Sequence, residues 1–138
     1  MQIRRTERLW RLFEMKGEML TVAQVLELTG GEVATADAHM AGLHQHGLLG
    51  VLRGGRPLYP AWQLTWEAVS SQPAVVDPAW RAVQSVLRAA GWSPDEILLW
   101  ARSPTGRLVG GACPADRLRD DPSSVVDVAH AIAAAGAQ

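Results

Sequence analysis

The side chains best suited to chemistry in this 138-residue sequence are three neighbouring histidines, His39, His44 and His46. His39 and His46 are seven positions apart, which places them on one face of a helix. Imidazole groups bind transition metals, but a metal site needs three or four ligands. Because no Cys, Asp or Glu completes such a set in an obvious way, the sequence predicts no metal site and no cofactor.

The single cysteine is a weak candidate for a nucleophile. Cys113 lies beside Pro114, without a nearby histidine or other base that would activate its thiol. One cysteine also excludes an internal disulfide and a zinc site built on a cysteine pair. The glycine pairs Gly54-Gly55 and Gly110-Gly111 lack the spacing of phosphate-binding loops. We therefore predict no catalytic residues and expect a binding protein rather than an enzyme.

A second group of residues has the chemistry to contact DNA. Arginines at the tip of a hairpin can reach phosphates, and amide or hydroxyl side chains can hydrogen bond to base edges. The predicted DNA-contacting residues are Thr35, His39, Gln45, Arg53 and Arg56. The segment from Glu32 to His46 contains no Lys or Arg, and its carboxylates would repel phosphate. A three-helix fold used only for packing or dimerisation is therefore the alternative.

The elements that would position these residues follow from apolar spacing and helix caps. The spacing predicts a first helix from about Thr6 to Lys16, and the capping box Thr21-Val22-Ala23-Gln24 starts a second. After the turn Thr29-Gly30-Gly31, a third helix is expected from about Glu32 to Gly47. Two short apolar runs around Gly54-Gly55 predict a β-hairpin. This order is typical of a DNA-reading unit whose third helix enters the major groove.

A linker is predicted over residues 70–78, where two prolines lie among small polar residues. It divides the chain into two domains, residues 1–70 and residues 71–138. Each is so small that its core would be marginal without another surface to pack against. We therefore expect a homodimer or a larger hetero-oligomer.

The second domain is predicted to consist of helices. Asp77-Pro78 starts the first, and the capping box Ser93-Pro94-Asp95-Glu96 starts the next, which cannot continue through Pro104. A short helix is expected from Pro114 and a last helix from Asp121-Pro122. The expected fold class is therefore mainly α, with one small β-hairpin wing in the first domain and a helical second domain.

Composition and charge are those of an ordinary soluble globular protein. The sequence is 48% hydrophobic and 20% charged, with 13 Lys and Arg against 14 Asp and Glu. The formal charge of −1 argues against binding nucleic acid mainly through bulk charge. The first residues lack the apolar segment of a signal peptide, and no run approaches the roughly 20 apolar residues of a membrane span. We therefore expect a cytoplasmic protein without membrane contacts.

Two motifs resemble a known family. The segment Leu99-Trp100-Ala101-Arg102-Ser103-Pro104, with Leu108, Gly110-Gly111, Pro114 and Leu118, resembles the toxin-binding domain of Xre/MbcA/ParS-type antitoxins. This resemblance covers about residues 77–135. The second motif, residues 58–64 (Leu-Tyr-Pro-Ala-Trp-Gln-Leu), is similar to the segment that closes the N-terminal DNA-binding unit of many members. The stretch from Leu108 to Pro114 is one residue longer than in the family.

The resemblance implies an antitoxin of a type II toxin–antitoxin system. Such a protein sterically neutralises a RES-domain toxin, an NAD-consuming enzyme, and represses its own operon by binding promoter DNA. The residues assigned to toxin binding by this resemblance are Trp100, Arg102, Ser103, Pro104, Arg107, Leu108, Gly111, Pro114 and Leu118. Most of them would shape the domain, and the toxin would be contacted by the exposed loop residues Arg102 and Arg107 and by the terminal helix. The alternative is a stand-alone helix–turn–helix transcriptional regulator whose C-terminal domain dimerises.

Overall fold

The computed structural model describes residues 19–65 and 72–136. The chain divides into two compact units between Val76 and Asp77. The described residues are mainly helical with small sheets, so the predicted mainly α class is confirmed. The predicted first helix, Thr6 to Lys16, lies outside the described residues. None of the described helices combines the length and the apolar character that a membrane crossing requires.

In the part of the first unit that the structure describes, two α-helices are combined with a three-stranded antiparallel sheet. Its elements in chain order are β1 (Met19–Leu20), α1 (Val22–Thr29), α2 (Ala36–Gln45), β2 (Val51–Arg53) and β3 (Arg56–Pro60). β3 is the central strand, and the spatial order is β1-β3-β2. Both helices are therefore inserted in the chain between one edge strand and the other.

Helix α1 begins at the predicted capping box. The hydroxyl of Thr21 accepts a hydrogen bond from the backbone N–H of Gln24, and the side chain of Gln24 accepts one from the backbone N–H of Thr21. The two bonds satisfy amides that have no partner within the helix. The helix ends at Gly30, whose φ of 77° is the left-handed conformation that glycine adopts without strain. Both predicted ends of this helix are confirmed.

Helix α2 begins later than the sequence predicts. Glu32 is extended and makes no side-chain cap, and Val33–Thr35 form a separate 3-10 turn. Glutamate is a poor residue for the N-cap position, where Ser, Thr, Asp and Asn are preferred. The expected start at Glu32 is therefore wrong, and the α-helix begins at Ala36.

The predicted hairpin is present as strands β2 and β3. Gly54 and Gly55 connect them with φ angles of 55° and 77°. Positive φ at both central residues defines the tight hairpin turn whose twist matches the flanking strands. The turn makes Arg53 and Arg56 direct partners across the two strands.

A further strand pair closes the first unit. β4 (Leu64–Thr65) pairs antiparallel with β5 (Val75–Val76), and the backbone N–H of Ala74 donates to the carbonyl of Leu28 at 2.9 Å. Ala74 and Val76 are buried. The chain therefore divides after Val76, which lies within the predicted linker of residues 70–78 but beyond the predicted domain end at residue 70.

The described residues of the second unit form four α-helices. They are α3 (Pro78–Ala89), α4 (Pro94–Ala101), α5 (Pro114–Arg117) and α6 (Pro122–Gly136), each with a proline in its first turn as predicted. Helices α3 and α6 pack against each other. Their buried residues contribute to the core of the unit and are Trp80, Val83, Gln84, Leu87, Val125, Val128 and Ala129.

Candidate functional site

One side of α2 is exposed along the whole length of the helix. Ala38, Ala41 and Gln45 are exposed, and their spacing of three and four residues places them on one side. Asp37 is exposed beside them, and Thr35 is exposed in the preceding turn. Met40 is buried on the opposite side. The helix therefore presents a surface of methyl groups flanked by short polar side chains.

His39 holds α2 against α1. Its Nε2 lies 2.8 Å from the hydroxyl oxygen of Thr29, and that hydroxyl donates to the carbonyl of Val25 at 2.7 Å. Because the only hydrogen of the hydroxyl is used in this way, Nε2 of His39 must be the donor to Thr29. The half-buried ring therefore faces α1, and its role as a DNA contact stays a prediction.

His44 holds the other end of α2 against strand β3. Its Nε2 lies 2.8 Å from the hydroxyl oxygen of Tyr59, and the two rings stack with centroids 5.6 Å apart. Burial raises the pKa of Tyr59, which keeps its hydroxyl neutral. His39 and His44 thus contact different elements, and no cluster of three or more potential metal ligands is found among the described residues.

The hairpin tip concentrates positive charge. Arg53 and Arg56 lie opposite each other and are exposed, and neither forms an ion pair with any residue in the described ranges. Like charges directly opposite on two strands destabilise the pairing, so this arrangement is not explained by stability. The tip carries two cationic side chains that are available to an anionic ligand.

Gln63, which belongs to the second resembling motif, supports the base of the hairpin, a role that the sequence did not predict. Its side chain is fully buried and forms hydrogen bonds with both backbone groups of Leu49, at 2.9 and 2.8 Å, and with the carbonyl of Pro60 at 3.2 Å. These bonds join the segment before β2 to the end of β3. A glutamine within an apolar segment was the available signal, because a buried amide requires hydrogen-bond partners.

In the second unit, the residues assigned by resemblance fall into two groups. Leu108, Pro114 and Leu118 are buried, whereas Trp100 and Ser103 are half-buried. The exposed group consists of Arg102, Pro104, Arg107 and Gly111. The indole N–H of Trp100 has no hydrogen-bond partner among the described residues. The buried residues of the motif therefore support a loop, and the exposed residues form part of the surface of that loop.

Backbone hydrogen bonds close this loop between α4 and α5. The N–H of Thr105 donates to the carbonyl of Ala112 at 3.2 Å, and the N–H of Gly111 donates to the carbonyl of Leu108 at 3.0 Å. Val109, at the centre of the segment, is 86% exposed. The loop is compact in its backbone, and it presents an apolar side chain together with Arg107.

Arg102 and Cys113 have structural partners at the ends of the loop. Nη1 of Arg102 lies 3.1 Å from Oδ1 of Asp116, an ion pair that joins the end of α4 to α5. The thiol of Cys113 donates to the backbone carbonyl of Arg102 at 3.3 Å. Of the two arginines that the resemblance assigns to toxin contact, Arg102 is therefore engaged within the unit.

Comparison with known proteins gives one structural similarity. No family model matches the chain, and no curated protein matches it. The chain is similar to a solved structure described as the NMR structure of Rv2175c, with 25% sequence identity and a TM-score of 0.67. The match covers 83% of this chain and 80% of that chain. That description names no activity, ligand or partner.

Proposed function

We propose that this chain is a transcriptional regulator that binds DNA through its first unit. The observation that carries this proposal is the sheet order β1-β3-β2, with α1 and α2 inserted after β1 and a tight hairpin formed by β2 and β3. This combination of order and topology is typical of helix–turn–helix proteins with a β-hairpin wing. In such proteins the second helix of the motif enters the major groove.

The side chains of the first unit fit this role. Helix α2 would be the recognition helix, because its outer side is exposed and its orientation is set by His39 and His44. Arg53 and Arg56 at the wing tip would contact the phosphate backbone. Binding energy and orientation would thus come from the wing, while the base edges would be read by α2.

The test is DNA binding as a function of salt concentration. Fluorescence anisotropy with DNA from upstream of the gene should show an affinity that falls steeply as salt rises. The double variant Arg53→Gln/Arg56→Gln should bind more weakly, with the slope of log K against log salt reduced by about 2. The matched control is Arg88→Gln, an exposed arginine of the second unit. An unchanged slope in the double variant would contradict the wing contacts.

A second proposed activity belongs to the second unit, namely steric neutralisation of a RES-domain toxin. The supporting observation is that buried residues of the resembling motif hold a closed loop, which exposes Arg107 and Val109. Leu99 on the adjoining helix is 71% exposed. Apolar side chains in such positions are suited to a protein interface. An antitoxin of this kind would also use the first unit to repress its own operon.

Co-expression with a RES-domain protein encoded beside this gene tests the second activity. Arg107→Glu/Val109→Asp should reduce growth protection, and deletion of the residues after Ala129 should do the same. The wing variant Arg53→Gln/Arg56→Gln is the control and should protect fully. Full protection by both altered forms, or absence of a complex with the toxin, would favour the stand-alone regulator.

A further inference from the structure

The exposed side of α2 restricts the kind of DNA that this helix can read. No lysine or arginine occurs between Glu32 and His46, and His39 and His44 are hydrogen bonded within the unit. The outer side therefore consists of the methyl groups of Ala38 and Ala41, with the amide of Gln45 at its end. A helix with this surface can approach bases closely but offers no cationic side chain to them.

These groups match the edges of A·T pairs in the major groove. Guanine is most often recognised there by bidentate hydrogen bonds from Arg or Lys, and the helix has neither. Glutamine can bond in the same bidentate way to N6 and N7 of adenine, and the alanine methyl contacts the C5 methyl of thymine. Asp37 lies beside these residues, and its carboxylate can accept from the exocyclic amine of cytosine or adenine and repels phosphate.

The hairpin wing also favours A·T-rich DNA, for a reason that is independent of α2. Its tip contains two arginines separated only by Gly54 and Gly55, so the turn itself adds no side-chain bulk. The narrow minor groove of A·T tracts has an enhanced negative potential that attracts inserted arginine side chains. A slender tip with two opposed cations fits such a groove.

We propose that the preferred ligand is A·T-rich duplex DNA, in which Gln45 bonds to adenine and Ala38 and Ala41 contact thymine methyl groups. The wing arginines lie at the adjacent narrow minor groove, where the phosphates of the two strands come closest together. This inference rests on the proposed DNA-binding function and adds the sequence class that the site selects. It assigns affinity to Arg53 and Arg56, and specificity to a helix without cationic groups.

The experiment begins with selection of duplex oligonucleotides from a random pool by the full-length protein. The selected sequence should be rich in A·T pairs. Replacing single thymines by deoxyuridine then removes only the C5 methyl group. At the positions facing Ala38 or Ala41 this should weaken binding about fourfold per methyl, the value for one buried methyl-sized group.

Two protein variants complete the test. Gln45→Ala should lose its discrimination at one adenine, by a factor of about 5 or more. Ser85→Ala, at an exposed position of α3, should leave both affinity and selectivity unchanged. Because Gln45 is exposed, loss of folding does not complicate this comparison.

The outcomes separate the inference from the proposed function. Salt-dependent DNA binding that selects G·C-rich sequence would overturn the inference and leave the proposed function standing. Binding that is insensitive to every deoxyuridine substitution would do the same. Absence of DNA binding even at low salt would overturn both.

Discussion

At the scale of single residues, Gln63 has the clearest consequence for the candidate site. Its amide bonds to both backbone groups of Leu49 and to the carbonyl of Pro60, all in a fully buried position. A buried backbone group that loses its partner costs about 1–3 kcal/mol. The side chain therefore fixes the base of the hairpin whose tip carries the two arginines.

We expect Gln63→Leu to lower the free energy of unfolding by about 2–4 kcal/mol, because the N–H and C=O of Leu49 would both lose a buried partner. Urea denaturation followed by circular dichroism measures this change. The matched control is Gln45→Leu, an exposed position where the effect should stay within about 0.5 kcal/mol. Equal midpoints for the two variants would contradict the structural role of Gln63.

The pKa values of two carboxylates at helix starts are shifted in opposite directions by their surroundings. The backbone N–H of Ser93, followed by its hydroxyl, lowers the pKa of Glu96 below its usual 4.5. For Asp77, burial raises the pKa above its usual 3.8 and outweighs the hydrogen bonds from the backbone of Ala79 and Trp80. The exposed carboxylate of the capping box therefore favours the charged form, and the partly buried one favours the neutral form.

The pH dependence of stability should follow these signs. Because the pKa of Glu96 is lower in the folded state, its contribution is present above about pH 4.5 and is lost as pH falls through the folded value. Glu96→Gln should therefore flatten the acid limb of the unfolding free energy. Asp77→Asn keeps a good capping residue and should make the acid limb steeper. A raised pKa in the folded state gives stability that is present at low pH and lost as pH rises, and the variant lacks this contribution. Urea titrations from about pH 6 to pH 3 compare the variants, and parallel limbs would contradict both assignments.

At the scale of elements, the sequence predicted best where the chemistry is local. Capping boxes at Thr21 and Ser93, and prolines in the first turn, placed helix starts correctly because the donor and acceptor lie within three residues. The Gly54-Gly55 pair predicted the hairpin turn correctly for the same reason, because the turn depends on only these two residues. The start of α2 was not, because Glu32 has no capping partner and a 3-10 turn replaces the expected first helical turn.

The contacts within the candidate site were harder to predict because they join elements that are distant in sequence. His39 was assigned to DNA, but its partner Thr29 lies on α1, and His44 bonds to Tyr59 on β3. Helical periodicity describes which residues share a face, and it does not specify which neighbour a polar side chain will meet. The sequence alone could suggest a DNA-contacting role for exposed residues, because their chemistry does not depend on an internal partner. These residues are Thr35, Gln45, Arg53 and Arg56.

Two glycines of the first unit should respond to alanine with opposite signs. Gly42 lies inside α2, and a Cβ there would meet nothing within 4 Å. Gly42→Ala should therefore stabilise the protein by about 0.5–1 kcal/mol. Gly55 has equally open surroundings but a φ of 77°, so Gly55→Ala should cost about 1 kcal/mol through backbone strain alone. Thermal denaturation of both variants tests the pair, and a shift of the same sign would contradict the turn geometry.

At the scale of the whole molecule, the position of the division between units depends on tertiary pairing. Composition placed it near residue 70, since prolines and small residues are typical of linkers. The structure instead includes Ala74 and β5 in the first unit, through the bond to Leu28 and the pairing with Leu64–Thr65. The boundary after Val76 lies within the predicted linker of residues 70–78. Two-residue strands leave no periodic pattern, so the sequence did not predict that β5 belongs to the first unit.

This boundary predicts how fragments of the chain should behave. A fragment of residues 1–76 keeps β5, whereas residues 1–70 lose it and expose the surface that Ala74 and Val76 cover, both of which are buried. Since burying a valine contributes about 1.5–3 kcal/mol and each lost backbone bond adds to the cost, the shorter fragment should be less stable by about 3 kcal/mol. Urea denaturation and amide exchange of the two fragments measure the difference. A fragment 1–70 as stable as 1–76 would show that the β4–β5 pair contributes nothing, and the first unit would then end where composition alone placed its boundary.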